Sequence, residues 1–72
     1  MASRHPKRYR KLILRLQQAR KEAGMTQEDV ASSLGTVQKY ISRVETGERR
    51  IDPIELQELA KLYRKPIEYF LE

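Results

Sequence analysis

Gln38, Lys39, Ser42 and Arg43 are hydrogen-bond donors interleaved with Val37, Tyr40, Ile41 and Val44 in the stretch GTVQKYISRVETG, Gly35 to Gly47. At roughly 100° per residue, a helix gathers the four apolar side chains on one face and spreads the donors over the opposite one. That outer face is either a surface for a partner or an ordinary solvated helix surface, and these residues alone leave both readings open. Other chemistry is scarce. With no cysteine, the chain has no disulfide and no thiolate metal site. The single histidine, His5, cannot build a zinc cluster or serve a cysteine nucleophile. There is also no glycine-rich phosphate loop. An enzyme is the least favoured class, and neither a metal nor a cofactor is expected.

The elements that must position the donors can be read from periodicity and capping chemistry. Tyr9, Leu12, Ile13, Leu16, Ala19 and Ala23 follow the spacing of an amphipathic helix that Gly24 ends. Arg20 falls at the edge of that apolar stripe, where it needs a partner if partly buried. Thr26 starts a second helix, with Asp29 as an aspartate version of the capping box and Val30, Ala31 and Leu34 on its inner face. Gly35 stops it. The third helix, the donor-bearing one, then begins at Thr36 or Val37, Thr36 being the better cap chemically. Asp52, Pro53 and Glu55 open a fourth helix, which turns Leu56, Leu59, Ala60 and Tyr63 inward. Pro66 opens a short last one whose Ile67, Phe70 and Leu71 are expected to cap the core. The expected fold is all-α, a compact bundle of five helices with no competing β-type alternation.

Seventy-two residues suffice for a single domain, taken as residues 6–72 behind a basic tail at residues 1–5. The net charge of +5 is unevenly placed. Up to Arg50 there are twelve lysines and arginines against five acids, an excess of +7; from Ile51 onward three bases face five acids. Such a field favours a polyanion, and nucleic acid is the leading one in a cytoplasmic protein. The cytoplasmic reading follows from the missing cysteines. The longest apolar run, Leu12 to Leu14, is too short for a signal peptide or a membrane span.

The segment TQEDVASSLGTVQKYISRVETG resembles the helix-turn-helix of the phage repressor and Cro-like regulators, the xenobiotic response element family. The matching positions are Gln27, Val30, Ala31, Leu34, Gly35, Ile41, Val44 and Glu45, with the motif at about residues 26–45. Ala31 must be small where two helices cross closely, Gly35 makes the turn, and the branched residues fill the wedge between the helices. The flanking stretches LQQARKEAG and GERRIDPIELQELAKLY extend the resemblance over nearly the whole chain from about Leu12.

The resemblance implies a lambda-repressor-like domain that binds double-stranded DNA, with the third helix in the major groove. On that reading Gln38, Lys39, Arg43 and the shorter Ser42 face the base edges. Glutamine suits adenine, and lysine or arginine suits guanine. Gln27, Thr36, Tyr40, Thr46 and Arg49 would meet phosphates, with Gly47 in the same loop and Tyr40 either core or contact. The family also pairs an arginine in the first helix with a glutamate ending the third, here Arg20 and Glu45. The match departs at Val37, where relatives often carry serine, threonine or proline, which leaves the cap geometry there open. Arg4 to Lys11 is either a phosphate-binding arm or a solvated tail and first turn. Family regulators usually act as homodimers on palindromic operators, and repression by occupancy is the plain expectation. No dimer surface is evident beyond Ile54 and Leu62 with Tyr69 or Phe70, and no membrane or small-molecule partner is indicated. The rival reading is a protein-interaction module, a coactivator or antitoxin on the same fold. An RNA reading is weaker, because no aromatic platform is present.

Overall fold

Capping chemistry decides where most of the helices start and stop. The computed structural model describes residues 5–72, so Arg4 and the start of the basic tail lie outside the described residues. Among the described residues there are five helices: α1 (Pro6–Glu22), α2 (Gln27–Leu34), α3 (Gln38–Thr46), α4 (Pro53–Leu62) and α5 (Ile67–Leu71). Pro6 stands in the first turn of α1, where its missing N–H leaves nothing unpaired. The capping box of α2 is complete: the Asp29 N–H donates to Thr26 Oγ1 at 3.0 Å, and the Thr26 N–H donates to Asp29 Oδ2 at 2.9 Å. The bond from the Thr26 backbone holds the Asp29 carboxyl below the usual carboxylate range. Asp52 caps α4 by accepting from the Glu55 N–H at 2.8 Å.

The start of α3 differs from the chemically better choice. Thr36 donates its N–H to the Ala31 carbonyl at 2.9 Å, closing the end of α2 around the left-handed Gly35 (φ 69°). That bond keeps Thr36 in the turn, so Val37 becomes the N-cap in extended conformation and supplies no side-chain bond. Because Val37 precedes the helix, it leaves the apolar face expected of it and stands 64% exposed. Only Ile41 and Val44 of that quartet are fully buried, with Tyr40 half-buried.

The core runs through every helix. Leu16 and Ala19 of α1 meet Val30 and Ala31 of α2, Ile41 and Val44 of α3, Leu56, Leu59 and Ala60 of α4, Tyr63 just beyond it, and Phe70 of α5. Ala23 is exposed, because α1 ends one residue before it. At the C-terminus Phe70 alone fills the core at 1% exposure, while Leu71 is 49% exposed, unlike the expectation that both cap it. Phe70 is therefore withdrawn from any surface patch with Ile54 and Leu62. The helix α4 ends without a glycine: Arg64 itself takes the left-handed conformation (φ 60°), and the Lys65 N–H reaches the Ala60 carbonyl at 3.0 Å.

Part of the basic charge is structural. Arg15 donates to the Tyr69 carbonyl with its guanidinium over the Tyr69 ring, and Arg8 reaches the Leu71 carbonyl at 3.3 Å. Cations thus meet the carbonyl end of α5, where the helix dipole is negative, and fasten it to α1.

Gly47 ends α3 at φ 84°, and a Cβ there would lie 2.8 Å from Ile13 Cδ1 of α1. Gly47→Ala should therefore destabilise by about 2 kcal/mol, combining the left-handed penalty with displacement of Ile13. Gly35→Ala should cost only the backbone share, since a Cβ added there would meet nothing within 4 Å. Urea denaturation of the two variants checks this ordering, and a costlier Gly35→Ala would contradict it.

Candidate nucleic-acid interface

The donors on α3 are held by an element locked from behind. Ile41 and Val44 sit at 2% exposure in the core, and Glu45, on the same inner side, is 4% exposed. A charge so buried needs partners. Arg20 of α1 supplies them: its Nε donates to Glu45 Oε2 at 2.8 Å and its Nη2 to Oε1 at 3.2 Å, while Nη1 donates to the Met25 carbonyl at 3.0 Å. The bond to Glu45 pushes the Arg20 pKa above its ordinary value against the opposing effect of burial. Gln17 of α1 adds a bond from Nε2 to the Glu45 backbone carbonyl at 2.6 Å. Two residues from α1 thus grip the end of α3.

The same carboxylate leads outward. Gln27 Nε2 donates to Glu45 Oε1 at 3.0 Å, and Gln27 Oε1 accepts from Gln38 Nε2. A continuous chain of bonds therefore runs from the interior pair to the first residue of α3. Gln27 is half-buried and Gln38 exposed, so the network ends at the surface. Nothing in the sequence pattern links the two glutamines: they stand on different helices, and only the crossing of α2 and α3 brings their amides together. The resemblance assigns Gln27 to a phosphate, but its side chain is engaged on both sides, leaving its backbone amide at the start of α2.

Lys39 and Arg43 are exposed on the outward side of α3, and Ser42 is half-buried beside them. Arg43 Nε lies 2.9 Å from Glu48 Oε2, with both side chains at least half exposed. That pair is worth little in water. Thr46 is exposed and donates to the Arg43 carbonyl at 3.1 Å, and the Arg49 N–H reaches the same carbonyl at 3.1 Å, which folds the loop against the end of α3. Thr36 stays half-buried in the turn.

Tyr40 is half-buried, and its hydroxyl donates to a Glu55 carboxylate oxygen. Burial first, and then this bond, push its pKa up to about 12, so the hydroxyl stays neutral at any ordinary pH. Arg49 lies over its ring at 5.1 Å to the centroid. The hydroxyl expected to meet either core or phosphate is thus engaged by α4. A matching stack occurs one residue on: Arg50 lies 4.0 Å from the Tyr9 ring centroid, and Tyr9 Oη accepts from the Ile51 N–H at 3.2 Å. The sequence pattern marks neither Glu55 nor Tyr9 as part of the site.

Among the described residues, no group of three or more histidines, cysteines or acids is placed to hold a metal ion, and no helix is long and apolar enough to cross a membrane. No curated protein matches the sequence. The sequence model of a helix-turn-helix family matches residues 16–70, spanning the last two turns of α1 and all that follows up to Phe70. With α2 packed against α3, Ala31 buried in the core, the turn at Gly35 and a second helix bearing its donors outward, the chain belongs to the Cro/C1-type helix-turn-helix family of DNA-binding regulators.

Proposed function

We propose that this protein is a sequence-specific transcriptional regulator that reads the DNA major groove with α3 and represses by occupying an operator. The observation that carries this reading is the division of α3: its inner side is buried and bonded to α1 through Glu45, while Gln38, Lys39 and Arg43 stand exposed on the outer side. Donors on a rigid element suit base readout, because each must find one acceptor without an ordering cost. Gln38 is held through Gln27 and offers the rest of its amide to an adenine edge; Lys39 and Arg43 offer charge to guanine O6 and N7. Ser42 adds a short contact between them.

Phosphates fall to the flanks. The backbone amide of Gln27 at the start of α2, Thr36 in the turn, and Thr46 and Arg49 in the loop after α3 bracket the reading helix. With the Tyr40 hydroxyl engaged by Glu55, the ring serves this flank by supporting Arg49. The working form is a cytoplasmic homodimer on an inverted repeat, without enzymatic activity, cofactor or small-molecule ligand. Selection of binding sites from a random duplex library tests the reading. An inverted repeat with half-sites about one helical turn apart is the expected result. Failure to enrich any sequence would overturn it.

A further inference from the structure

The family match begins at residue 16, yet α1 begins at Pro6 and runs unbroken through the difference. Residues 6–15 are helical turns ahead of the matched segment, and from His5 to Lys21 the chain contains no acid. Arg8 and Arg15 are engaged with α5. Lys7 and Arg10 are exposed and neighbours on the helix surface at a spacing of three.

Arg10 lines a cleft of about 390 Å³ between α1 and the loop after α3, whose far side includes Thr46, Gly47 and Arg50. Gly47 lets the two walls approach closely, since a Cβ there would lie 2.8 Å from Ile13 Cδ1. Arg50 is already oriented, with its guanidinium stacked on Tyr9, and Tyr9 is fixed by the Ile51 N–H. Stacking uses the faces of the guanidinium and leaves its edge donors for a planar or tetrahedral oxyanion. The one acid lining the cleft, Glu45, is neutralised by Arg20. Beyond Arg50 a second shallow cleft is lined by Arg43, Glu48 and Arg49, so positive charge continues from the outer side of α3 round the loop to α1.

We infer that the first turns of α1 and the loop after α3 form a second clamp for the DNA backbone, holding phosphates beyond the bases read by α3 between Arg10 and Arg50, with Lys7 one turn further out. This rests on the DNA-reading function proposed above and extends its footprint. A continuous cationic track suits a polymer with regularly spaced charges better than a peptide with a few acids.

The test is the salt dependence of affinity for the selected operator, measured for the wild type and for the Lys7→Ala/Arg10→Ala double variant, on a duplex with long flanks and on one trimmed to the inverted repeat. Neither residue makes a bond that holds the fold, and thermal melting checks that it is retained. On the long duplex the variant should show a slope in log K against log salt shallower by about 2, with affinity about tenfold or more lower at 0.1 M salt and unchanged base preference. On the trimmed duplex the two proteins should converge. Equal slopes and affinities on the long duplex would overturn the clamp while leaving base reading intact. A wild type that enriches no sequence would overturn the function beneath it, and the clamp with it.

Discussion

Replacing Glu45 with alanine should destabilise the protein by about 3 kcal/mol and lower its affinity for DNA in parallel. The carboxylate is 4% exposed and accepts from Arg20 twice and from Gln27 once. Its removal leaves the Arg20 guanidinium at 13% side-chain exposure with only the Met25 carbonyl among its observed acceptors. An uncompensated buried charge, more than the lost attraction, is the source of the penalty. For a domain of this size, total stability on the order of 4–10 kcal/mol is typical, so the loss is a large fraction. The melting temperature should fall by roughly 10–20 °C. Arg20→Ala should be comparably costly, because it leaves the Glu45 carboxylate, the more buried partner at 5% side-chain exposure, with only Gln27 among its observed donors. A double-mutant cycle by urea denaturation separates the pair from its surroundings. Replacing both residues by apolar ones of similar volume should restore much of the stability but not the DNA affinity, since Gln27 then loses the acceptor that orients it toward Gln38. Wild-type stability in Glu45→Ala would refute this account.

How far these features are legible in the sequence depends on how local they are. The capping box of Thr26 and Asp29, the Asp52 cap and the left-handed Gly35 arise from residues a few positions apart, and their chemistry is readable directly. Val37 shows the limit of periodicity. Helical spacing places it with Ile41 and Val44, but the bond from Thr36 to Ala31 delays the helix by one residue and turns Val37 outward. At the other end, Phe70 and Leu71 are equally apolar neighbours, and only the docking angle of α5, set by Arg15 and Arg8 on its last carbonyls, decides which one enters the core. Those arginines look like part of a nucleic-acid surface when counted as charge. The relation between Gln27 and Gln38, and the stacks of Arg49 on Tyr40 and Arg50 on Tyr9, join separate helices and leave no periodic trace. The juxtaposition of Arg20 with Glu45 is legible only through resemblance to a family, since neither spacing nor composition relates residues so far apart.

Arg43→Ala should erase one base preference per half-site while leaving thermal stability essentially unchanged. In the free protein Arg43 pairs with Glu48, both well exposed, a contact worth about 0–1 kcal/mol. A bidentate bond to guanine contributes about 1–3 kcal/mol of discrimination. The second term wins, so Arg43 should leave Glu48 when the operator binds. The comparison also separates base reading from simple charge attraction. If Arg43 met only phosphate, its loss would weaken all sequences alike and make the salt slope shallower by about 1. As a base reader it should instead flatten one position of the selected site, with discrimination there falling by roughly tenfold to a hundredfold. Glu48→Ala supplies the converse, because removing an acid from the contact surface should strengthen binding to all sequences and leave the preference at that position in place. An unaltered selection profile for Arg43→Ala, with uniformly weaker binding, would move Arg43 from the base edges to the backbone and leave Gln38 and Lys39 to account for specificity.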